Sequence, residues 1–415
     1  MTQTIDISLE GLFEAYWDCR RNKSRTRNAS AFEADYEANL VDLRREIAAG
    51  KYRPGRSIAF IVDKPVKREI FAADFRDRIV HHWIALRIEP LLEEAFIPET
   101  FNCRKGKGNS AGIEYLHQAV RECSENYTRD SWILRLDLQS FFTSIDRRPA
   151  CEKLCRFIGQ RYRGEDLAAL LHLTRVVLLN APEENCIIKG DRSRWEGLAP
   201  GKSLFTNQDE HGLPIGNFTS QLTGNFILND TDHYIREELG LCVARYVDDI
   251  CIVDQSKERL LAAIPLIREH LFTVAGATLH PRKFYLQHYT KGVKFIGAVI
   301  KRERIYISNR TVSNAYQAVH SFNLQAQAPG FVEKNAEAFA SCINSYLGIM
   351  KHYRTYAIRC RLTERIAPQW LKVIEISEDH TKLIVKKRYK YRERVKYVVK
   401  RQRKPHNPHV KQPQY

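Results

Sequence analysis

Apolar residues recur at three- and four-residue spacing over much of the chain, and this period predicts amphipathic helices. The pattern covers residues 7–50, where Gly50 provides a stop signal, and it returns in residues 77–96. Residues 257–276 and 310–372 show the same period. The sequence therefore predicts a helical N-terminal segment and a second, largely helical region near the other end of the chain.

Shorter stretches between these helices have the patterns of β-strands. Residues 57–75 alternate like a hairpin with Lys64 and Pro65 at its turn. The segments WILRLDL and KGVKFIGAVI read as buried strands, and RYVDDICIV reads as two short apolar runs joined by a tight turn. Residues 184–211 are polar and break all periodicity, so they are expected to form a long loop or insertion. Helices and strands together predict a mixed α/β (α+β) fold.

Composition and charge narrow the class of partner. The 415 residues are 44% hydrophobic and 28% charged, which is typical of a folded protein with two or three domains. Lys and Arg number 66 against 49 Asp and Glu, giving a formal net charge of +17. This balance predicts an anionic partner, and nucleic acid before membrane. Residues 382–404 hold twelve Lys or Arg and one acid, so a salt-sensitive phosphate contact is expected there.

The sequence also indicates where the protein works. No stretch approaches the roughly 18 apolar residues of a membrane span, and the first residues lack the pattern of a secretory signal peptide. Ten cysteines are scattered without CxxC or zinc-type spacing. We therefore expect a cytoplasmic protein with reduced cysteines and no membrane partner.

Carboxylates occur at the ends of two predicted strands. Asp137 lies near the end of WILRLDL, and Asp248 and Asp249 lie at the turn of RYVDDICIV. If these strands are neighbours, the three acids come together, and their mutual repulsion then requires divalent cations. Carboxylates suit Mg²⁺ bound jointly with substrate phosphates. Two such ions can clamp the attacking and leaving oxygens of a phosphoryl displacement. A surface turn would account for Asp248 and Asp249 alone, since Asp is common in turns.

Five segments between about Lys51 and Gly297 resemble, in order, motifs A to E of the reverse transcriptases and their right-hand polymerase relatives. They read LDLQSFF, GLPIGNFTSQ, YVDD, HPRKFYLQHY and GVKFIG. The resemblance implies a right-hand fold with fingers, a palm built on an antiparallel sheet, and a helical thumb. It also implies an RNA-directed DNA polymerase, a nucleotidyltransferase that copies RNA into DNA with Mg²⁺ and dNTPs.

The motif positions suggest the domain boundaries. An N-terminal helical segment is expected over residues 1–50, and fingers and palm over residues 51–300 with the insertion at 184–211. Residues 301–375 would form the thumb, and residues 376–415 a basic extension whose tyrosines could stack on unpaired bases.

Residue by residue, the resemblance implies a catalytic set of Asp137, Asp248, Asp249 and Lys283. The metal ligands would be Asp137, Asp248, Asp249 and Leu138, the last through its main-chain carbonyl, and two Mg²⁺ or Mn²⁺ ions would be bound. Lys283, in the motif D segment, would protonate the departing pyrophosphate. A solvated surface lysine is the simpler interpretation of that residue.

Phe142, five residues after Asp137, takes the position of the family's steric gate. Its ring would collide with a ribose 2′-OH and thereby favour deoxynucleotides. The simpler interpretation is that Phe141 or Phe142 packs into the core. The other candidates for nucleotide or template contact lie in the fingers motifs and motif B: Lys67, Arg68, Arg78, Arg104, Ile215, Gly216 and Gln221.

Motif B departs from the form found in many reverse transcriptases, which have Gln where this chain has Ile215. The segment IGNFTSQ resembles reverse transcriptases of diversity-generating retroelements and of bacterial anti-phage systems related to group II introns. Loss of a polar side chain near the nascent base pair predicts low fidelity, measurable as an error rate on a defined template. The implied partners are a cognate non-coding RNA as template, a DNA or RNA primer, dNTPs, and an accessory protein or second polymerase.

Three other functions fit parts of this pattern. An RNA-dependent RNA polymerase shares the palm, although an aromatic gate opposes ribonucleotides. A template-independent or protein-primed DNA polymerase would use the same carboxylates. A non-catalytic, maturase-like RNA-binding protein would explain the charge but not three intact acids.

Overall fold

The computed structural model describes residues 5–21, 26–63, 66–199, 201–208 and 210–389. The chain divides into two compact units, Met1–Tyr306 and Ile307–Tyr415. In the part of the chain that is described, no helix is both long and apolar enough to cross a membrane.

The described residues of the first unit include ten helices. They are α1 Leu9–Arg20, α2 Arg27–Glu33, α3 Tyr36–Ala48, α4 Phe75–Ala95, α5 Asn109–Cys123, α6 Phe141–Ser144, α7 Arg147–Arg161, α8 Leu167–Leu178, α9 Phe218–His233 and α10 Lys257–Ala275. A π-helical turn, Tyr234–Glu238, extends α9. Both α4 and α9 are buried along most of their length, and the buried residues of α9 include Asn225, Asn229 and Asp232 as well as apolar ones. The helical periods over 7–50, 77–96 and 257–276 are therefore confirmed.

A four-stranded antiparallel sheet lies against these helices in the strand order β5-β6-β3-β7. Its strands are β3 Trp132–Leu138, β5 Cys242–Tyr246, β6 Asp249–Asp254 and β7 Leu279–His288. In β3 the residues Leu134, Leu136 and Leu138 alternate with more polar ones, and all three join the core. The mixed α/β prediction is confirmed, and β3 is central because its apolar face is buried along its whole length.

A smaller sheet, in the order β2-β1-β4, consists of β1 Ser57–Val62, β2 Arg68–Ala72 and β4 Cys186–Ile188. The predicted hairpin is present as the antiparallel β1–β2 pair, whereas Lys64 and Pro65 lie outside the described residues. β4 pairs parallel with β1. The insertion over 184–211 contributes β4, whose three residues are too few to show a period in the sequence.

Glu69, in β2, ties the insertion to this small sheet. Its buried carboxylate accepts hydrogen bonds at 2.6 Å from Trp195 Nε1, from Ser203 Oγ and from Leu204 N. Lys67 Nζ also donates to the Glu196 carbonyl at 2.6 Å. The insertion therefore has a defined position despite its polar sequence.

Glu69→Ala is expected to release the insertion, because three donors lose their acceptor. The free energy of unfolding should fall by about 1–3 kcal/mol, the usual cost of unsatisfied buried polar groups. Trypsin should then cleave faster at Arg192 and Arg194, which can be followed by mass spectrometry. Glu196→Ala is the matched control, since that exposed side chain is not part of the Glu69 contacts. Equal cleavage rates in both variants would contradict the anchoring role.

Three short strands follow β7 in the chain. The strands β8 Val293–Phe295, β9 Ala298–Ile300 and β10 Ile305–Ile307 form a small sheet in the order β10-β9-β8. The turn between β8 and β9 uses Ile296 and Gly297, both at positive φ, which is the geometry of a tight antiparallel hairpin.

The second unit is mainly helical. Its elements are α11 Asn309–Gln325, α12 Phe331–Met350, α13 Tyr356–Glu364, α14 Pro368–Leu371, β11 Ile374–Ile376 and β12 Leu383–Val385. Trp370 is fully buried at its core and stacks on Phe339 with ring centroids 4.1 Å apart. Of the basic stretch at 382–404, the residues after 389 lie outside the described residues.

Candidate active site

Two of the predicted carboxylates face each other across neighbouring strands. Asp137 in β3 is the direct cross-strand partner of Asp249, the first residue of β6. Side chains of directly opposed residues share one face of the sheet, with Cβ atoms about 4.5–5.5 Å apart. Asp248 immediately precedes β6, in the turn that joins β5 to β6. The antiparallel pairing thus collects acids that lie far apart in the sequence.

Asp137 occupies an irregularity of the sheet. The register between β3 and β7 shifts between Leu136 and Leu138, so Asp137 has no partner residue in β7. Such a bulge turns a side chain away from its regular direction. Lys283 Nζ, from β7, lies 3.2 Å from Asp137 Oδ2. Leu138 pairs with Leu279 and can offer a ligand only through its main-chain carbonyl.

Asp249 is held by an arginine on the same face of the sheet. Arg135 donates from Nε to Asp249 Oδ1 at 2.6 Å and from Nη2 to Oδ2 at 3.0 Å. Burial raises the pKa of Asp249 to about 6, with Arg135 opposing the rise and the nearby Asp248 and Asp137 adding to it. The Asp249 carboxylate is therefore fixed in place by a cation of the protein itself.

Charged residues from three other segments affect the pKa of Asp248. Burial raises its pKa first, and the charge of Asp137 raises it further. Arg68 of β2 and Lys202 of the insertion act in the opposite direction. Two cations from outside the central sheet are thus near enough to act on this carboxylate.

The carboxylates suit a divalent cation that also binds substrate. Among the described residues, no group of three or more His, Cys, Asp or Glu side chains forms a closed metal site. Arg135 binds Asp249 through two hydrogen bonds, and Lys283 contacts Asp137 at 3.2 Å. The mutual repulsion of Asp137 and Asp248 would be relieved by a cation. Mg²⁺ is commonly held by one or two carboxylates together with substrate phosphates, so this donor pair fits it.

The aromatic pair after β3 lies between the central sheet and α9. Phe141 is buried, whereas Phe142 is half-buried and its main-chain carbonyl accepts from Leu213 N at 2.7 Å. A Cβ atom at Gly224 of α9 would lie 3.2 Å from Phe142 Cε1 and 3.3 Å from Phe141 Cε1. Glycine at that helix position therefore leaves the space in which both rings sit.

Motif B begins as an extension of the small sheet. Phe71 N donates to the Ile215 carbonyl at 2.9 Å, so the Ile215 main chain is bound to β2. Gly216 has φ +126°, and a Cβ there would come within 2.9 Å of the Phe71 carbonyl oxygen, so only glycine fits. Gln221 lies half-buried in the first part of α9.

The other predicted cations are engaged within the protein. Arg104 binds Glu93 with two hydrogen bonds of 2.7 and 2.8 Å and also donates to the carbonyls of Ile97 and Thr100. Arg78 Nε donates to the Ala73 carbonyl at 2.9 Å. These contacts favour structural roles for Arg104 and Arg78 over the predicted contacts to substrate.

Sequence reasoning missed two residues of this site. Arg135 precedes Asp137 by two positions on a strand, so the period of two places both on one face, and that signal was available. Lys202 lies in a stretch without periodicity. Its position follows from Thr143 Oγ1, which donates to the Gly201 carbonyl, and from the Glu69 contacts of Ser203. No local pattern could have predicted it.

Comparison with known proteins extends this picture. Protein YkfC of Escherichia coli K12 is 22% identical over 332 residues, which cover 70% of this chain and 78% of that protein. Telomerases from Candida albicans and Candida tropicalis, both solved with the TWJ fragment of telomeric RNA, match with TM-scores of 0.41 and 0.45 at 12% and 10% identity. These matches cover 78% and 75% of this chain but 61% and 57% of the telomerase chains. The chain thus spans less than two thirds of the telomerases it matches.

An antiparallel sheet that opposes Asp137 and Asp249, with Asp248 at the adjoining turn, is the palm of a nucleotidyl-transferring polymerase. Residues 63–300, more than half of the chain, match the family model for reverse transcriptase (RNA-dependent DNA polymerase). The chain belongs to the reverse transcriptase family, as its five ordered motifs predicted.

Proposed function

We propose that this protein copies an RNA template into DNA, with dNTPs as substrates and Mg²⁺ or Mn²⁺ as the cofactor. The observation that carries the proposal is the opposed pair Asp137 and Asp249 with Asp248 beside it, in a chain of the reverse transcriptase family. Asp137 and Asp248, with the Leu138 carbonyl, are the proposed metal ligands. Asp249 supports them from its ion pair with Arg135.

In the proposed reaction the primer 3′-hydroxyl loses its proton to solvent water and attacks the α-phosphorus of a dNTP, while the bond from that phosphorus to the bridging oxygen of the pyrophosphate breaks. The bound divalent cations would supply Lewis-acid stabilisation of the charge that develops on these oxygens. Lys283 donates a proton from Nζ to the departing pyrophosphate. Its position 3.2 Å from Asp137 Oδ2 supports this role, because it lies directly beside a proposed metal ligand.

Two basic side chains, Arg68 and Lys202, are proposed to bind the triphosphate of the dNTP. Arg68 and Lys202 both act on the charge of Asp248, and both side chains are exposed. Phosphate groups are met well by guanidinium forks and by lysines acting as point charges. The motif B residues Ile215, Gly216 and Gln221 are proposed to line the nucleotide side of the site.

The wider setting is part of the same proposal. Residues 301–375 are proposed to contact the template and primer as a thumb, and residues 376–415 to bind RNA phosphates. A cognate non-coding RNA is the proposed template, with a DNA or RNA primer and an accessory protein or second polymerase. The IGNFTSQ form of motif B supports use in a bacterial retroelement or an anti-phage system.

The test is synthesis by the purified protein on a primed heteropolymeric RNA, with Mg²⁺ and dNTPs, followed by sequencing of the product. Complementary DNA that disappears when EDTA removes the metal is the expected result. Product independent of the template sequence would indicate template-independent synthesis, and a preference for NTPs would indicate an RNA polymerase. Tight RNA binding without synthesis would overturn the enzyme assignment for the protein acting alone.

Phe142→Val is expected to admit ribonucleotides, since the smaller side chain removes the atoms that would meet a 2′-OH. The ratio of kcat/KM for dNTP over NTP should fall on the order of tenfold or more, the effect of changing a few atoms at a shape-selective contact. Single-nucleotide incorporation measures both constants. Phe141→Val is the control, because that ring is buried in the core; equal ratios in the two variants would contradict the gate.

A further inference from the structure

The turn that carries Asp248 has an unusual backbone. Val247, directly before Asp248, has φ +59°. A β-branched residue is seldom found in this left-handed region, because its side chain crowds the main chain there. Such conformations persist only where the surrounding structure holds them, and they concentrate at functional sites. Contacts with the rest of the protein must therefore keep Val247 in this backbone conformation.

Two buried side chains hold both polar main-chain groups of Val247. Asn102 Oδ1 accepts a hydrogen bond from Val247 N at 3.1 Å, and Arg245 Nη1 donates to the Val247 carbonyl at 3.0 Å. Asn102 is 2% exposed and Arg245 is fully buried. The residue before Asp248 is thus fixed from two sides by groups that lie out of reach of solvent.

Helix α9 in turn binds the Arg245 side chain and the Asn102 main chain. Asp232 accepts from Arg245 Nε at 2.7 Å and from Nη2 at 2.6 Å, and it is fully buried as well. Asn225 Oδ1 accepts from Arg245 Nη1 at 3.2 Å, while Asn225 Nδ2 donates to the Asn102 carbonyl at 2.9 Å. We call Asn102, Asn225, Asp232 and Arg245 the turn clamp.

A buried ion pair such as Arg245–Asp232 does little for stability compared with apolar residues of similar size, although breaking it is costly. The ion pair has a different effect here, which is to fix the orientation of the Arg245 guanidinium. The guanidinium also donates to Asn225 and to the Val247 carbonyl. The ion pair with Asp232 therefore orients the hydrogen bond from Arg245 to the turn. The clamp therefore links α9, whose first turn carries the end of motif B, to the position of Asp248.

We propose that the turn clamp positions Asp248 for metal binding by holding Val247 in its left-handed conformation. Arg245 and Asn102 are the direct positioning residues, and Asp232 and Asn225 act through them. This inference rests on the proposed function in one respect, namely that Asp248 is a metal ligand. Displacement of a ligand by about 1 Å can reduce the rate roughly a hundredfold, so a clamp of this kind would matter for catalysis.

The test uses Asn102→Ala and Asn225→Ala, which remove hydrogen bonds of the clamp without leaving a buried charge. The matched control is Asn229→Ala, one turn further along α9, where a buried Asn donates to the Ala95 carbonyl at 3.2 Å and is not part of the clamp. Two readouts are taken: Mn²⁺ binding in the presence of dTTP by electron paramagnetic resonance, and the Mg²⁺ concentration at half-maximal DNA synthesis. Both are expected to shift at least threefold to weaker metal use in the clamp variants and to stay unchanged in Asn229→Ala.

Val247→Gly sharpens the experiment, because glycine adopts positive φ without strain. The effect of Asn102→Ala should be smaller in the Val247→Gly background than in the parent. An equal effect in both backgrounds, or unchanged metal binding in the clamp variants, would overturn the clamp. If the parent protein makes no DNA but the clamp variants still weaken Mn²⁺ binding, the proposed function fails while the clamp stands.

Discussion

Asp248→Asn is expected to abolish DNA synthesis while leaving the protein folded. Asn keeps the shape of the side chain but removes the charge that would hold a divalent cation beside Asp137. Metal-assisted stabilisation of the transition state is worth several kcal/mol, so the rate should fall roughly a thousandfold or more. Single-turnover extension of a primed RNA template measures the loss.

The same substitution makes a prediction about stability that has the opposite sign. The pKa of Asp248 is raised by burial and by Asp137, so the native state disfavours the charged form. Stability linked to such a group is fully present below the carboxyl's unfolded pKa and is lost as the pH rises through the folded value. Asp248→Asn should therefore unfold at the same temperature as the parent or higher at pH 7 without metal, and the difference should shrink towards pH 4.

Asp254→Asn is the control for both measurements. Asp254 ends the same strand, where it accepts from Arg259 Nη1 and from Ser256 N, each at 2.8 Å, away from the opposed pair. This variant should retain its rate and lose some stability, which is the reverse of the pattern for Asp248→Asn. Comparable losses of rate in both variants would mean that general damage to β6, rather than a lost metal ligand, explains the first result.

The sequence predicted the elements that show a clear period. The strand WILRLDL, the hairpin at RYVDDICIV and the long helices were all found, because their apolar faces are buried and the periods of 2 and 3.6 report that burial. The meeting of Asp137 with Asp249 was also predictable, once two strands with acids at their ends were assumed to be neighbours. The position of Lys202 and the strand β4 were not predictable. The buried Glu69 positions the insertion, which has no periodic pattern of its own.

Charge pairing was the second property that the sequence could not provide. Any Arg of the fingers motifs could be a substrate contact in the linear sequence, yet Arg104 is used internally by Glu93. Conversely, Arg245 looks like an ordinary strand residue until α9 places Asp232 against it. Which cation meets which anion depends on contacts between distant segments, and a single sequence carries no local signal for them.

Lys283 can act on catalysis in two ways, and substitution by Arg separates them. As a proton donor it needs an ionisable ammonium, whereas as an ion-pair partner of Asp137 it needs only positive charge. Arginine keeps the charge but is not deprotonated in proteins. If proton transfer is the role, both Lys283→Ala and Lys283→Arg should lower the rate of the chemical step by about a hundredfold or more, the usual worth of general acid catalysis.

The measurement is single-turnover incorporation, because product release can hide the chemical step in steady-state rates. KM for dNTP should change little in both Lys283 variants, because the step that is lost is chemical rather than binding. Arg282→Ala, at the exposed neighbouring position, should behave like the parent. A Lys283→Arg variant with the parent's rate would instead assign Lys283 to holding Asp137 in place.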